Sequence, residues 1–180
     1  MIELGILADD LTGGMMVASL LEREGVDCPL VTSVDELESL ANSTATAVVV
    51  ARKIRLIPAK DARKEAIKTV QALKSIGCKR FYYKYCATFD STSQGNIGPI
   101  AEAMMEELDA SRTIFCPAFP EYTVTIFQGR MFLGNTPLGE SFKKNDPVTP
   151  MTNSNLVEVL ASQTNQKVGL IPHSLLLKGT

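Results

Sequence analysis

Apolar positions run along this chain in short solid blocks that alternate with stretches of helical spacing. The block at 2–8 predicts a buried strand, and 12–24 then reads as a helix with Met16, Val17, Leu20 and Leu21 inward and Gly25 as its stop. A short strand is expected at 28–31, a short helix at 34–40, and an almost purely β-branched strand at 46–51. Pro58 opens a third helix, whose Ala62, Ala66, Val70 and Leu73 share one face before Gly77. A fourth strand at 80–85 is followed by a helical stripe of Ile97, Ile100, Ala101, Met104, Met105 and Leu108, and 112–116, "RTIFC", predicts a fifth strand. Strands alternating with such helices imply an α/β fold: an open, mostly parallel sheet with helices on both faces.

After Pro117 the period changes. "VTIFQGRMFLGNTPL" alternates apolar and polar residues around Gly129 and around Gly134-Asn135, which predicts a C-terminal antiparallel hairpin flap. Residues 139–150 read as an ordered loop, 155–162 as a helix and 167–171 as a returning strand.

Composition narrows the function. At 180 residues the chain can bury one real core, and 45% hydrophobic with 21% charged residues is the balance of a globular protein. A net charge of −2 speaks against a nucleic-acid footprint, so a small partner is expected. Cys28, Cys78, Cys86 and Cys116 lie far apart and His173 is the lone histidine, so no metal site is expected and the thiols read as reduced and mostly buried. With no basic leader and no run near the ~18 apolar residues of a membrane span, the expectation is a cytoplasmic protein without a membrane partner.

Parallel sheets bind ligands beyond the carboxyl ends of their strands, and polar residues collect there repeatedly. Asp9 and Asp10, with Thr12 and Gly13, follow strand one; Arg52, Lys53 and Arg55 follow strand three; Lys84, Tyr85, Asp90, Ser91, Thr92 and Asn96 follow strand four; Phe119 and Glu121 follow strand five. Asp10 or Thr12 also reads as no more than an N-cap, and strand alternation sends Asp9 and Asp10 to opposite sides. Side-by-side carboxylates repel, so the pair asks for a ligand. Carboxylates for hydroxyls and cations for a carboxylate together describe a site for a small acid sugar, and Asp9, Asp10, Arg55, Lys84 and Asp90 are expected in one cleft. No G-x-x-x-x-G-K-[ST] loop accompanies them.

"ADDLTGG", "KYCATFDSTSQGNIGP", "CPAFP", "FQGRMF" and "DPVTPM" resemble, in order and over nearly the whole chain, the N-terminal half of the four-carbon acid sugar kinase family. The family includes 3-oxo-tetronate, erythronate and threonate kinases. The resemblance implies a two-domain enzyme in which residues 1–180 are the acid-sugar-binding domain, while ATP and Mg²⁺ are bound mainly by a C-terminal nucleotide-binding domain absent from this chain. Its motifs fall on Asp9, Asp10, Thr12 and Gly13, and on Lys84, Tyr85, Asp90, Ser91, Thr92, Gly95 and Asn96. Asp9 or Asp10 becomes the candidate base or hydroxyl orienter, with Arg52, Lys53, Arg55 and Lys84 for the substrate carboxylate. Where the family commonly has Gly-Arg, a histidine after Gln-Gly, and Ser-Glu-Ser, this chain has "EYTV" at 121–124, Arg130, and Gly139-Glu140-Ser141. Those departures bear on substrate identity more than on reaction class.

The expected partners are the acid sugar and the chain's own C-terminal domain, with a homodimer open. Competing readings are a standalone acid-sugar binding or sensor module, a hydrolase with an aspartate nucleophile, and a nicotinamide oxidoreductase. The hydrolase pattern wants D-x-D rather than adjacent aspartates, and the first turn lacks G-x-G-x-x-G.

Overall fold

β1 (Leu4–Ala8), β2 (Leu30–Val31), β3 (Ala47–Ala51) and β4 (Arg80–Lys84) pair in parallel in the order β2-β3-β1-β4. They belong to a computed structural model that describes residues 2–40 and 42–179. The central strands are buried on both faces, which is why they are written in Val, Ile, Leu and Ala rather than in alternation. Ile6, Ala8, Val49 and Ala51 pack with Ala18 of α1 (Leu11–Arg23) on one face. On the other, Leu7 packs with Ala62, Ala66 and Val70 of α2 (Ala59–Ser75) and with Ile100, Ala103 and Met104 of α3 (Ile97–Glu107). Both faces therefore carry helices, as expected. A 3-10 helix at Val34–Leu40 adds Val34 and Leu37 to a core shared with Val48, Val50 and Leu73.

Gly14 sets how closely α1 approaches the sheet. A Cβ there would stand 2.8 Å from that of Ala51 and 3.3 Å from Leu30 Cδ1 and Val49 Cγ1. Only hydrogen fits.

This sheet and its helices form one compact unit, residues 1–85 with 99–113; residues 86–98 with 114–180 form a second. The second unit holds an antiparallel sheet of β5 (Val124–Phe127), β6 (Arg130–Leu133) and β7 (Thr136–Pro137). The β5–β6 turn is Gln128-Gly129, with φ of 51° and 76°, the positive pair that a two-residue hairpin needs to match strand twist. Gly134-Asn135 turns β6 into β7, as the pattern indicates. The 139–150 loop carries two short 3-10 turns, and α4 (Leu156–Ala161) is capped by Asn155, whose Oδ1 accepts the Val157 N–H at 3.1 Å.

Two expected strands are not formed. Residues 112–116 are irregular, with Ile114 78% exposed, so Phe119 and Glu121 follow a loop rather than a fifth strand. Residues 167–171 are likewise irregular, with Leu170 and Ile171 exposed, and a short helix, α5 (His173–Leu176), follows them. Both runs have the composition of a strand, but neither joins the four-stranded or the three-stranded sheet. The cysteines are all free; Cys28 and Cys78 are buried and their thiols are pushed up to about 11 by burial, whereas Cys116 is exposed and Cys86 half-buried, so the expectation of mostly buried thiols holds for two. No helix among the described residues is long and apolar enough to cross a membrane.

Candidate functional site

Backbone hydrogen bonds carry the sheet past its strand ends and fix the polar loops there. The Asp9 N–H donates to Lys84 O (3.1 Å), Arg52 N–H to Ala8 O (2.8 Å) and Ile54 N–H to Asp9 O (3.1 Å). The loops after β1, β3 and β4 thereby arrive at one edge of the sheet.

Arg55 is the hub of that edge. Its Nε and Nη2 donate to Asp9 Oδ2 and Oδ1 at 3.2 and 2.9 Å, and Nη2 also meets Asp10 Oδ2 at 2.5 Å. Asp9 and Asp10 thus turn to the same guanidinium instead of to opposite sides; β1 has ended at Ala8, so strand alternation no longer governs them. Asp10 is also the N-cap of α1, its Oδ1 accepting the Gly13 N–H at 2.5 Å, while Thr12 is exposed. The two carboxylates differ in access: Asp9 is 1% exposed and Asp10 30%. Burial pushes the Asp9 carboxyl above the ordinary aspartate range, although Arg55 and Lys84 pull it down. A Cβ on Gly13 would lie 3.5 Å from Lys84 Nζ, which places that ammonium against the first turn of α1 while it donates to the Tyr85 carbonyl. The Tyr85 ring meets Tyr83 edge to face, with centroids 5.4 Å apart.

Arg52 turns elsewhere. Its guanidinium bonds Thr32 O (2.8 Å) and Glu65 of α2, its Nε is buried without a hydrogen-bond partner, and it lines a groove of about 370 Å³ with Lys53, Glu65 and the apolar Leu11, Ile54 and Ile57. Leu11 and Ile54 are the chain neighbours of Asp10 and Arg55; the carboxylates themselves are not in the groove wall.

The remaining candidates, Asp90, Ser91, Thr92 and Asn96, belong to the second unit and are tied into it. Asp90 accepts from Thr88 Oγ1 (2.6 Å) and Lys143 Nζ (2.7 Å), and Lys143 also reaches Asp146 (3.2 Å). Gln163 Nε2 donates to the Ser91 hydroxyl (2.7 Å) and to Thr92 O (2.8 Å), and its Oε1 accepts the Gly98 N–H (3.0 Å). Ser91 and Asn96 are buried.

Backbone N–H groups of Thr149 and Val148 hold the Asp146 carboxyl down at about 2. A depressed carboxyl contributes fully above its unfolded value of 3.8 and loses that contribution as pH falls through about 2. Exchange protection of the Val148 and Thr149 amides should therefore collapse across this window. Protection that persists below it would contradict the assignment.

Tyr83, Lys143, Asp146 and Gln163 escaped the sequence pattern. Only the Lys143–Asp146 spacing of three was visible in it.

A family described as sugar-binding N-terminal domain matches residues 4–180. A 3-oxo-tetronate kinase of Pseudomonas savastanoi pv. phaseolicola is 43% identical over 176 residues, covering 98% of this chain, and the chain spans 41% of that relative's length. Among solved structures, a Haemophilus influenzae protein superposes with a TM-score of 0.89 at 38% identity, over 97% of this chain and 42% of its own. A domain of unknown function from Bordetella bronchiseptica, solved with bound citrate as a domain-swapped dimer, has a TM-score of 0.77 at 29% identity, over 89% of this chain and 40% of its own.

Proposed function

The chain belongs to the sugar-binding N-terminal domain family, and from that premise we propose that it is the substrate-binding part of an ATP-dependent kinase. Its substrate is a four-carbon acid sugar of the 3-oxo-tetronate, erythronate or threonate type. One observation carries the reading: Asp9 and Asp10 gather on Arg55 at the carboxyl edge of a parallel sheet, beside the N-terminus of α1. Carboxylate oxygens accept from sugar hydroxyls, and a guanidinium fork takes a carboxylate in two parallel bonds. A ligand that satisfies both is a hydroxylated acid. The name of the Pseudomonas relative and the citrate bound to the Bordetella protein point the same way.

Access divides the labour. Asp10, the more exposed carboxylate, orients the reacting hydroxyl and stands ready to take its proton; buried Asp9 holds Arg55 in position. Lys84 and Lys53 add positive potential for the substrate's anion at the same sheet edge, Arg52, paired with Glu65, lines the adjoining groove as a further substrate contact, and Thr12, Gly13 and Tyr85 shape its surroundings. In the second unit, Asp90, Ser91, Thr92 and Asn96 are proposed as further substrate-binding residues, held in place by Lys143 and Gln163.

The proposed reaction needs ATP and Mg²⁺. Among the described residues no three acidic, His or Cys side chains gather as a cation site, and the sequence has no phosphate-cradling loop. The reading assigns both to a nucleotide-binding domain outside this chain. Phosphoryl transfer is chiefly positioning and charge stabilisation, and the part supplied here is the positioning.

Calorimetry with erythronate, threonate and 3-oxo-tetronates should show uptake of at least one acid, and none of the uncharged erythritol. Coupled ADP release should be absent with this chain and appear when an ATP-binding C-terminal domain is added. Turnover by the chain alone would refute the two-domain reading, and indifference to every acid would refute the substrate class. Uptake that never leads to turnover would identify a binding or sensor module.

A further inference from the structure

Phe89 is held where a bulky side chain rarely sits. Its φ is 55°, in the left-handed region, it is 1% exposed, and its N–H closes a turn onto the Cys86 carbonyl at 2.9 Å. Left-handed backbone at a buried phenylalanine is strained, and strain of this kind persists only where the surroundings fix it, most often at a binding site. The residues on either side, Thr88 and Asp90, bond each other across it, Thr88 Oγ1 donating to Asp90 Oδ1 at 2.6 Å.

The hydrogens of this turn have assignable directions. A threonine hydroxyl has one hydrogen, and that of Thr88 goes to Asp90. Cys86 Sγ also lies 3.2 Å from Thr88 Oγ1, so in that contact the thiol is the donor. The order runs from Cys86 to Thr88 to Asp90. On the other oxygen, Asp90 Oδ2 accepts from Lys143 Nζ at 2.7 Å, and the same ammonium reaches Asp146. Each Asp90 oxygen therefore has a fixed donor, and the carboxylate cannot swing about its Cβ–Cγ bond without breaking one of them. An ionised carboxylate offers about four lone-pair positions, which leaves about two for a ligand.

We propose that Thr88 is a positioning residue for Asp90, its hydroxyl setting the plane of the carboxylate so that the remaining lone pairs meet the hydroxyls of the substrate. The proposal rests on the reading that an acid sugar binds with Asp90 among its contacts. Lys143 alone does not suffice, because an ammonium on a flexible stem is a point charge that sets distance but not plane. Cys86 completes the arrangement: its thiol occupies the acceptor side of the Thr88 hydroxyl and leaves that hydroxyl one orientation.

Binding, stability and one vibrational band test this on the 180-residue chain. At a temperature where every variant is folded, Thr88→Val should weaken binding of whichever of erythronate, threonate and the 3-oxo-tetronates the wild type takes up about tenfold. Thr88→Ser, which keeps the hydroxyl, should stay within about twofold. An unchanged affinity in Thr88→Val, or equal losses in the two variants, would overturn the proposal. Without ligand, Thr88→Val should lower the thermal midpoint by about 5 °C in the wild type and by less than about 2 °C beside Asp90→Ala, where the acceptor is gone. Additive shifts would overturn it too. The S–H stretch of Cys86, isolated as the infrared difference between wild type and Cys86→Ala, should lie below the frequency of a free thiol. A free-thiol frequency would mean that the Thr88 hydrogen serves sulfur instead of Asp90, and it decides against the proposal even if Thr88→Val fails to fold. Should the wild type take up no acid, the kinase reading fails, while the midpoints and the spectrum still decide whether Thr88 sets Asp90.

Discussion

Arg55→Met lowers the unfolding free energy by about 3–5 kcal/mol at neutral pH, the cost of leaving a buried carboxylate without its counter-charge. Asp9 is the group left behind, since both its oxygens rest on Arg55. Asp9→Asn in the same chain should recover most of the loss, because an amide carries no charge to strand. The pH dependence has a definite sign. Asp9 already has its carboxyl raised above 3.8 by burial, and removing Arg55 raises it further. A carboxyl raised in the folded state holds its proton longer than in the unfolded chain, so the deficit is small near pH 4 and grows as pH rises through the folded value. Denaturant titrations of wild type, Arg55→Met and the double variant at several pH values check this. A deficit independent of pH, or one that Asp9→Asn leaves in place, would show that Arg55 acts through packing alone.

Gly14→Val should cost about 1–3 kcal/mol by overpacking. The atoms it would strike, Ala51 Cβ, Leu30 Cδ1 and Val49 Cγ1, sit on short side chains of β2 and β3 and have little room to swing away. The helix must retreat instead. Its first turn carries Asp10 as N-cap, so the retreat draws Asp10 from Arg55 and acid binding falls together with stability. Met15→Val, one position along on the exposed side, is the control and should stay within about 0.5 kcal/mol. Equal costs at 14 and 15 would mean that the close approach of α1 to β3 does not govern the site.

Local pattern carried the frame of the fold. The β-branched run of β3, the four, four and three spacing of Ala62, Ala66, Val70 and Leu73, and the glycines of the two hairpin turns each state their structure within a dozen residues. Residues 112–116 and 167–171 show the limit of such windows. A strand exists only if another strand offers its edge, and that offer comes from elsewhere in the chain. The site divides the same way. The Asp9-Asp10 doublet stands out in any reading of the chain, whereas its pairing with Arg55 depends on β1 and β3 being neighbours 43 residues apart, as Leu4 and Ala47 are. Arg52 looked like a companion of Arg55 and is instead bound to Glu65, because α2 brings that carboxylate back over the end of β3.

The edge-to-face contact of Tyr83 and Tyr85 gives the protein a built-in optical gauge. There is no tryptophan, and three of the four tyrosines, Tyr82, Tyr83 and Tyr85, lie on or immediately after β4, with Tyr122 alone elsewhere. Near-ultraviolet circular dichroism and intrinsic emission therefore come largely from the strand end that abuts Asp9 and Lys84, without interference from a stronger indole band. Two rings held 5.4 Å apart at 67° couple their transitions, and small rotations of either ring alter the signal. Events at the charged edge of the sheet can thus be followed in real time in the unlabelled chain, with the Tyr82 and Tyr122 phenols as the background to subtract.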